Sequence, residues 1–209
     1  MSTFAAQYLA ETAQIAASID VEAIERLVDA LVEVRARRGR LFCLGLGGGA
    51  AHASHAASDF RRLAGIEAYA PTDSVASMTA VANDVGWPEM FVTWLEQSYL
   101  RATDGVCVFS VGGGDPWRQV SVPLVRALAY AQGTGAPILG IVGREGGFMG
   151  PLAHAWVRVP TVNGVAVTAH TEGFQAVIWH LLVSHPKLKI AEPKWESLGG
   201  SHGHGSANL

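Results

Sequence analysis

The sequence predicts an α/β fold: a flavodoxin-like, doubly wound parallel sheet of five strands, with a helical arm ahead of it. Three observations carry that prediction. Short apolar runs recur after residue 39, each long enough for a buried strand. Two of them lead directly into glycine turns that feed helical stretches. Ahead of them the apolar residues recur at spacings of three and four instead.

The arm reads as two helices. Phe4, Tyr8, Leu9 and Ile15 mark the first, and Ile24, Leu27, Leu31 and Val34 the second, with a break at residues 18–20. Asp20 is placed to cap the second helix, followed by Glu22 and Glu25, and Arg35, Arg37, Arg38 and Arg40 cluster at its end. Residues 40–44 are the first strand, Gly45–Gly49 its turn, and an alanine-rich helix runs to Phe60. Residues 67–70 form a further short strand. Residues 106–111 repeat the strand, Gly112-Gly-Gly-Asp-Pro116 the turn, and a helix runs to about Gln132. Residues 138–142 and 156–159 are two more strands, and residues 165–183 the last helix. The division predicted is 1–38 for the helical arm, 39–190 for the α/β domain and 191–209 for a flexible tail, whose His202 and His204 could take up adventitious metal.

Composition bounds the function. A hydrophobic share of 49% with 16% charged residues excludes a disordered chain. Fifteen basic against eighteen acidic residues, net −3, argue against nucleic acid as a partner. No apolar run is long enough to span a membrane. Cys43 and Cys107 lie in apolar runs and read as buried free thiols of a reducing compartment. The first residues lack a basic segment before an apolar core, so the expected location is the cytoplasm.

In doubly wound sheets ligands bind beyond the carboxyl ends of the strands. There the turns Gly45–Gly49 and Gly112–Gly114 either cradle an anion on backbone N–H groups or merely reverse the chain. His55 and Asp59 are four apart on one helix, and Glu172 and His180 eight apart on another. Together they would make a first-row metal shell, with zinc favoured by the imidazoles. Spacing equally allows two local surface pairs, and it does not bring the helices together. His52, His154 and His170 read as surface or loop residues.

Several segments resemble the sugar isomerase (SIS) domain family, most closely its phosphoheptose (sedoheptulose-7-phosphate) isomerases. Gly45-Leu-Gly-Gly-Gly-Ala-Ala-His-Ala-Ser-His55 is similar to that family's G-N-G-G-S-A-A-D-A-Q-H. Thr79-Ala-Val-Ala-Asn-Asp84, with Phe91 beyond it, resembles T-A-x-x-N-D. Gly143-Arg-Glu-Gly-Gly147 and Pro151-Leu-Ala-His-Ala-Trp-Val-Arg-Val-Pro160 resemble G-x-x-G-G and P-L-A-D-x-x-I-x-V-P.

The resemblance implies a metal-dependent aldose–ketose isomerase that acts on a sugar phosphate through an enediol. It assigns His55, Asp59, Glu172 and His180 to a divalent metal, Zn2+ by preference, with Asp59 and His180 catalytic. It assigns Gly47, Gly48, Gly49, Asn83, Asp84, Ser110, Val111, Gly112, Gly113, Gly114, Asp115 and Thr168 to the substrate. It also implies a homotetramer with shared active sites, in which the N-terminal helices serve oligomerisation. The chain departs from the pattern at Asp59 for Glu and Glu172 for Gln. It also has Leu46 for Asn, Gly49 for Ser, and Ser110-Val-Gly-Gly-Gly-Asp115 for S-T-S-G-N-S. The lost hydroxyls are those that hold the phosphate in that family, and Asp115 adds a repelling carboxylate. Arg61, Arg62 and Arg118 are candidate replacements. The alternative is a non-catalytic SIS domain that binds a sugar phosphate or a replication initiator protein.

Overall fold

Two capped helices precede the sheet in the computed structural model, which describes residues 3–199. The Thr3 hydroxyl accepts the Ala6 N–H to open α1 (Phe4–Ser18), and the Asp20 carboxylate accepts the Ala23 N–H to open α2 (Val21–Ala36). The apolar stripe of α2 is buried along its length, whereas α1 buries only Ile15. Arg35 then ties α2 to what lies beneath it. Its guanidinium donates to the carbonyls of Ala64, Lys187 and Leu188 at 2.6–3.0 Å.

The strands are β1 (Leu41–Gly45), β2 (Ala68–Tyr69), β3 (Gly105–Ser110), β4 (Ile138–Val142) and β5 (Ala155–Arg158). They form one sheet in the order β2-β1-β3-β4-β5, every neighbouring pair parallel. Parallel strands need crossovers, and the helices supply them. One face of the sheet carries α2, α3 (Gly48–Ala64) and α7 (Val167–Ser184), packed on Leu41, Cys43, Cys107, Phe109 and Ile141. The other carries α4 (Val75–Asp84), α5 (Met90–Gln97) and α6 (Val122–Thr134), packed on Phe42, Leu44, Val106 and Val108. Cys43 and Cys107 are free and buried, opposite one another in register. Burial pushes the Cys43 thiol well up and that of Cys107 to about 12.

The described elements add to and shorten those expected at three points. Helices α4 and α5 were not predicted. Of α4's ten residues only Met78 and Val81 are buried, so its apolar stripe is thin, and the Ser74 cap does the local work. Strand β2 is two residues long. The tail expected to be flexible from 191 carries a short helix, α8 (Lys194–Gly199), entered through Pro193. Its His202 and His204 lie outside the described residues.

One buried ion pair fixes the entry to the sheet. Asp104 is 2% exposed and accepts from the Arg40 guanidinium at 2.7 Å and from the backbone N–H groups of Arg40 and Arg101 at 2.9 and 3.0 Å. Burial alone would raise its carboxyl; these donors outweigh it and hold the group below its ordinary 3.8. Asp104→Asn is therefore expected to cost about 2 kcal/mol at neutral pH in urea unfolding. A depressed folded-state value stabilises above the unfolded value and is lost as pH falls through the folded one. The stability gap between the wild type and the variant should accordingly close only below pH 3.8.

Candidate active site and metal centre

The strand order reverses between β1 and β3, which makes their carboxyl ends the place for a ligand. A cavity of about 550 Å³ lies there. Leu46 and Gly49 line it from the β1–α3 turn, Ser110, Val111, Gly112, Gly114, Asp115 and Arg118 from the β3–α6 loop, Arg144 and Glu145 from the exit of β4, and Thr168 and Glu172 from α7.

The glycine runs serve the packing of one loop on another. Gly113 (φ +73) and Gly147 (φ +52) both need the left-handed region, and a Cβ on either would fall on a carbonyl of the facing loop, that of Gly146 or of Gly112. The Phe148 and Met149 N–H groups donate to Gly114 and Gly113 at 2.9 and 3.1 Å and lock the two loops together. At Gly113 and Gly147 the close approach of the two loops requires glycine. The N–H groups of Gly49 and Ala50 bond to Leu46 and Gly47, and that of Gly113 to the Ser110 hydroxyl, so they are engaged within their own turns. Asn83 and Asp84 lie at the exposed end of α4, where Asn83 donates to Asp84 at 2.7 Å, and do not line the cavity. Gly47, Gly48 and Gly113 do not line it either.

Helices α3 and α7 lie side by side and run the same way. Gly48 at the start of α3 faces Glu172, so closely that a Cβ there would strike the carboxylate. Two turns on, the His55 ring meets Trp179 at 4.6 Å and His180 at 5.5 Å between centroids. This alignment brings together what spacing alone did not. Ligand atoms of His55, Asp59 and His180 all lie within 4.8 Å of one another. The His55 Nε2 is 3.7 Å from the Asp59 Oδ2, close to the roughly 3.4 Å between two ligands of a tetrahedral first-row ion. His180 donates its Nδ1–H to the Ala176 carbonyl at 2.7 Å, which leaves Nε2 as a lone-pair donor. Asp59 is buried and accepts from Arg62 at 3.1 Å. The chemistry and spacing of this set fit a divalent cation.

Glu172 stands apart from the other three residues within one chain. It is eight residues from His180, about 12 Å of helix axis, and is no member of the cluster within one chain. Two histidines expected at the surface are not there. His52 is half-buried beside Glu172, and burial pulls its imidazole below the ordinary value, with Glu172 opposing and His55 adding to the shift. His170 is buried, 3.0 Å from Glu11 of α1 and stacked on Tyr8. His154 does lie in a loop, where its Nδ1 accepts from Ile138 at 3.1 Å. Sequence reasoning also missed Arg144 and Trp179. The first stands in the quoted glycine exit of β4; the second directly precedes His180.

No family model matches the chain. A phosphoheptose isomerase from Paramagnetospirillum magneticum is 32% identical over 190 residues, which cover 87% of this chain and 93% of that one. The chain belongs to the phosphoheptose isomerase family. With that family comes its enzyme class, the phosphosugar isomerases. Solved phosphoheptose isomerase structures share the fold. The one from Neisseria gonorrhoeae superposes with a TM-score of 0.74 at 23% identity, covering 86% of this chain and 95% of the other. The one from Francisella tularensis gives 0.75 at 22%, covering 88% and 97%. Among the described residues no helix is long and apolar enough to cross a membrane.

The interlock of the two loops is open to test. Gly147→Ala should destabilise the chain by about 2 kcal/mol or more in urea unfolding. Gly164→Ala, with nothing near its Cβ position, should change stability by about 0.5 kcal/mol or less.

Proposed function

We propose that the chain is a metal-dependent aldose–ketose isomerase acting on a sugar phosphate, converting sedoheptulose 7-phosphate to a heptose 7-phosphate through an enediol. The observation that carries this reading is the convergence of His55, Asp59 and His180 from two distant helices on one point, in a chain of the phosphoheptose isomerase family.

The reaction moves a proton between adjacent carbons and needs a base, an acid and a holder for the developing oxyanion. In this proposal His55, Asp59 and His180 hold a divalent ion, with zinc favoured by the two imidazoles. Such an ion supplies polarisation of the carbonyl oxygen. Asp59 takes the C–H proton. His180 offers only Nε2, because Nδ1 is engaged by Ala176. That one atom therefore either binds the ion or delivers a proton to the carbonyl oxygen, never both at once.

The His55 side chain is 61% exposed within one chain, and Glu172 lies about two turns away along α7. The arrangement supports a homo-oligomer, a tetramer by resemblance, in which a second copy covers the cluster and brings a Glu172 to it. Exposed Phe4 and Leu9 on α1 and Val177 and Leu181 on α7 supply apolar surface for such contacts. The paired buried thiols fit a reducing compartment, the cytoplasm.

Protein carrying His202→Ala and His204→Ala should bind about one divalent ion per chain and convert sedoheptulose 7-phosphate to an aldose. His55→Ala with His180→Ala should lose the ion, and Asp59→Asn should lower kcat by about a hundredfold or more with the fold intact. Metal-loaded wild type that forms no aldose would refute the proposal.

A further inference from the structure

The β3–α6 loop brings two hydroxyls, on Ser110 and Ser121, and one carboxylate, on Asp115, to the cavity. The Ser110 hydroxyl accepts the Gly113 N–H at 3.0 Å and keeps its own proton to donate. The Asp115 carboxylate accepts the N–H groups of Trp117 and Arg118 at 2.9 and 3.0 Å, and Asp115 and Val120 exchange both backbone bonds. The N–H groups of Gly113, Asp115, Trp117 and Arg118 are therefore committed to the loop's own shape, and its one carboxylate repels an anion.

The charges on the cavity wall decide what remains. Arg118 lies 3.8 Å from Asp115, and Glu145 is paired with Arg158 at 2.6 Å. Arg144 also lines the cavity, and among the described residues no carboxylate stands within 4.0 Å of its guanidinium. Its stem crosses Gly112, whose Cβ position is 3.6 Å from the Arg144 Cδ. Its backbone is held at φ +50, the left-handed region that costs a branched or long side chain energy and that recurs where a fold aims a residue at a ligand. The other arginines are spoken for: Arg62 is bonded to Asp59, and Arg61 lies over the Tyr69 ring.

We infer that Arg144 receives the phosphate monoester of the substrate, bringing from the exit of β4 a cation with no carboxylate partner among the described residues. A guanidinium can grip two phosphate oxygens at once, which a single hydroxyl cannot. The inference rests on the isomerase reading for the rest of the substrate but stands on its own for the anion.

Calorimetric titration of the full chain with inorganic phosphate tests it. Arg144→Gly removes the guanidinium at a position whose φ suits glycine, so the variant should unfold no lower in temperature than wild type. It should weaken phosphate binding about tenfold or more, Arg144→Lys should recover part of the loss, and Arg118→Ala should change it by about threefold or less. Three results would overturn the inference: wild type that binds no phosphate, Arg144→Gly that binds it as wild type does, or a larger loss in Arg118→Ala. Turnover of sedoheptulose 7-phosphate by the same samples separates the two readings. Arg144-dependent phosphate binding in a chain that isomerises nothing upholds this inference and refutes the enzymatic one.

Discussion

Helices α3 and α7 touch at two heights, Gly48 against Glu172 and His55 against Trp179 and His180. Everything chemical in the chain follows from that parallel contact. The α3 side is built small where it is buried: Ala53, Ala56 and Ala57 share a core cluster with Phe174, Ile178 and Trp179. A larger residue at Gly48 would push Glu172 aside. Because the rise per residue is the same in both helices, contact at one height fixes contact two turns later. Gly48 and the imidazoles two turns along the pair are thus parts of one register.

Trp179 shows what this register costs. Its ring lies 3.4 Å from that of His180 and 4.6 Å from that of His55, and it is 1% exposed. Its Nε1 has no hydrogen-bond partner among the described residues, nor has the Oε1 of Gln175 one turn before it. A buried unsatisfied donor costs about 1–3 kcal/mol. Burying an aromatic side chain of this size returns a similar amount. The net effect is a rigid wall against which both imidazoles are set, with little change in stability.

How much of this could be read from the chain depended on range. Helices α1 and α2 announce themselves through their caps and their three-and-four spacing, both local signals. The strands do so through apolar runs with glycine exits, and Cys43 and Cys107 through the runs that contain them. Helix α4 escaped because Met78 and Val81 are too few to make a stripe. The spacing of His55 and Asp59 was legible, but the approach of His180 was not, since nothing local specifies which helix packs on which; only the likeness to a family suggested it. The eight residues between Glu172 and His180 put both on one side of α7 but about 12 Å apart along it, so spacing alone could not join them in one shell. His170 was assigned to the surface because its partner, Glu11, is 159 residues away. Arg144 was in view throughout, but its left-handed backbone and its missing partner exist only in three dimensions.

The central claim is that one chain gathers two imidazoles and a carboxylate around a single ion. X-ray absorption at the zinc edge tests it directly, on protein loaded with zinc after His202→Ala and His204→Ala. Two imidazole nitrogens and oxygen ligands at about 2.0–2.2 Å are expected, with the imidazole signal gone in His55→Ala/His180→Ala. A spectrum with no histidine scattering, or one that this pair of substitutions leaves unchanged, would contradict it.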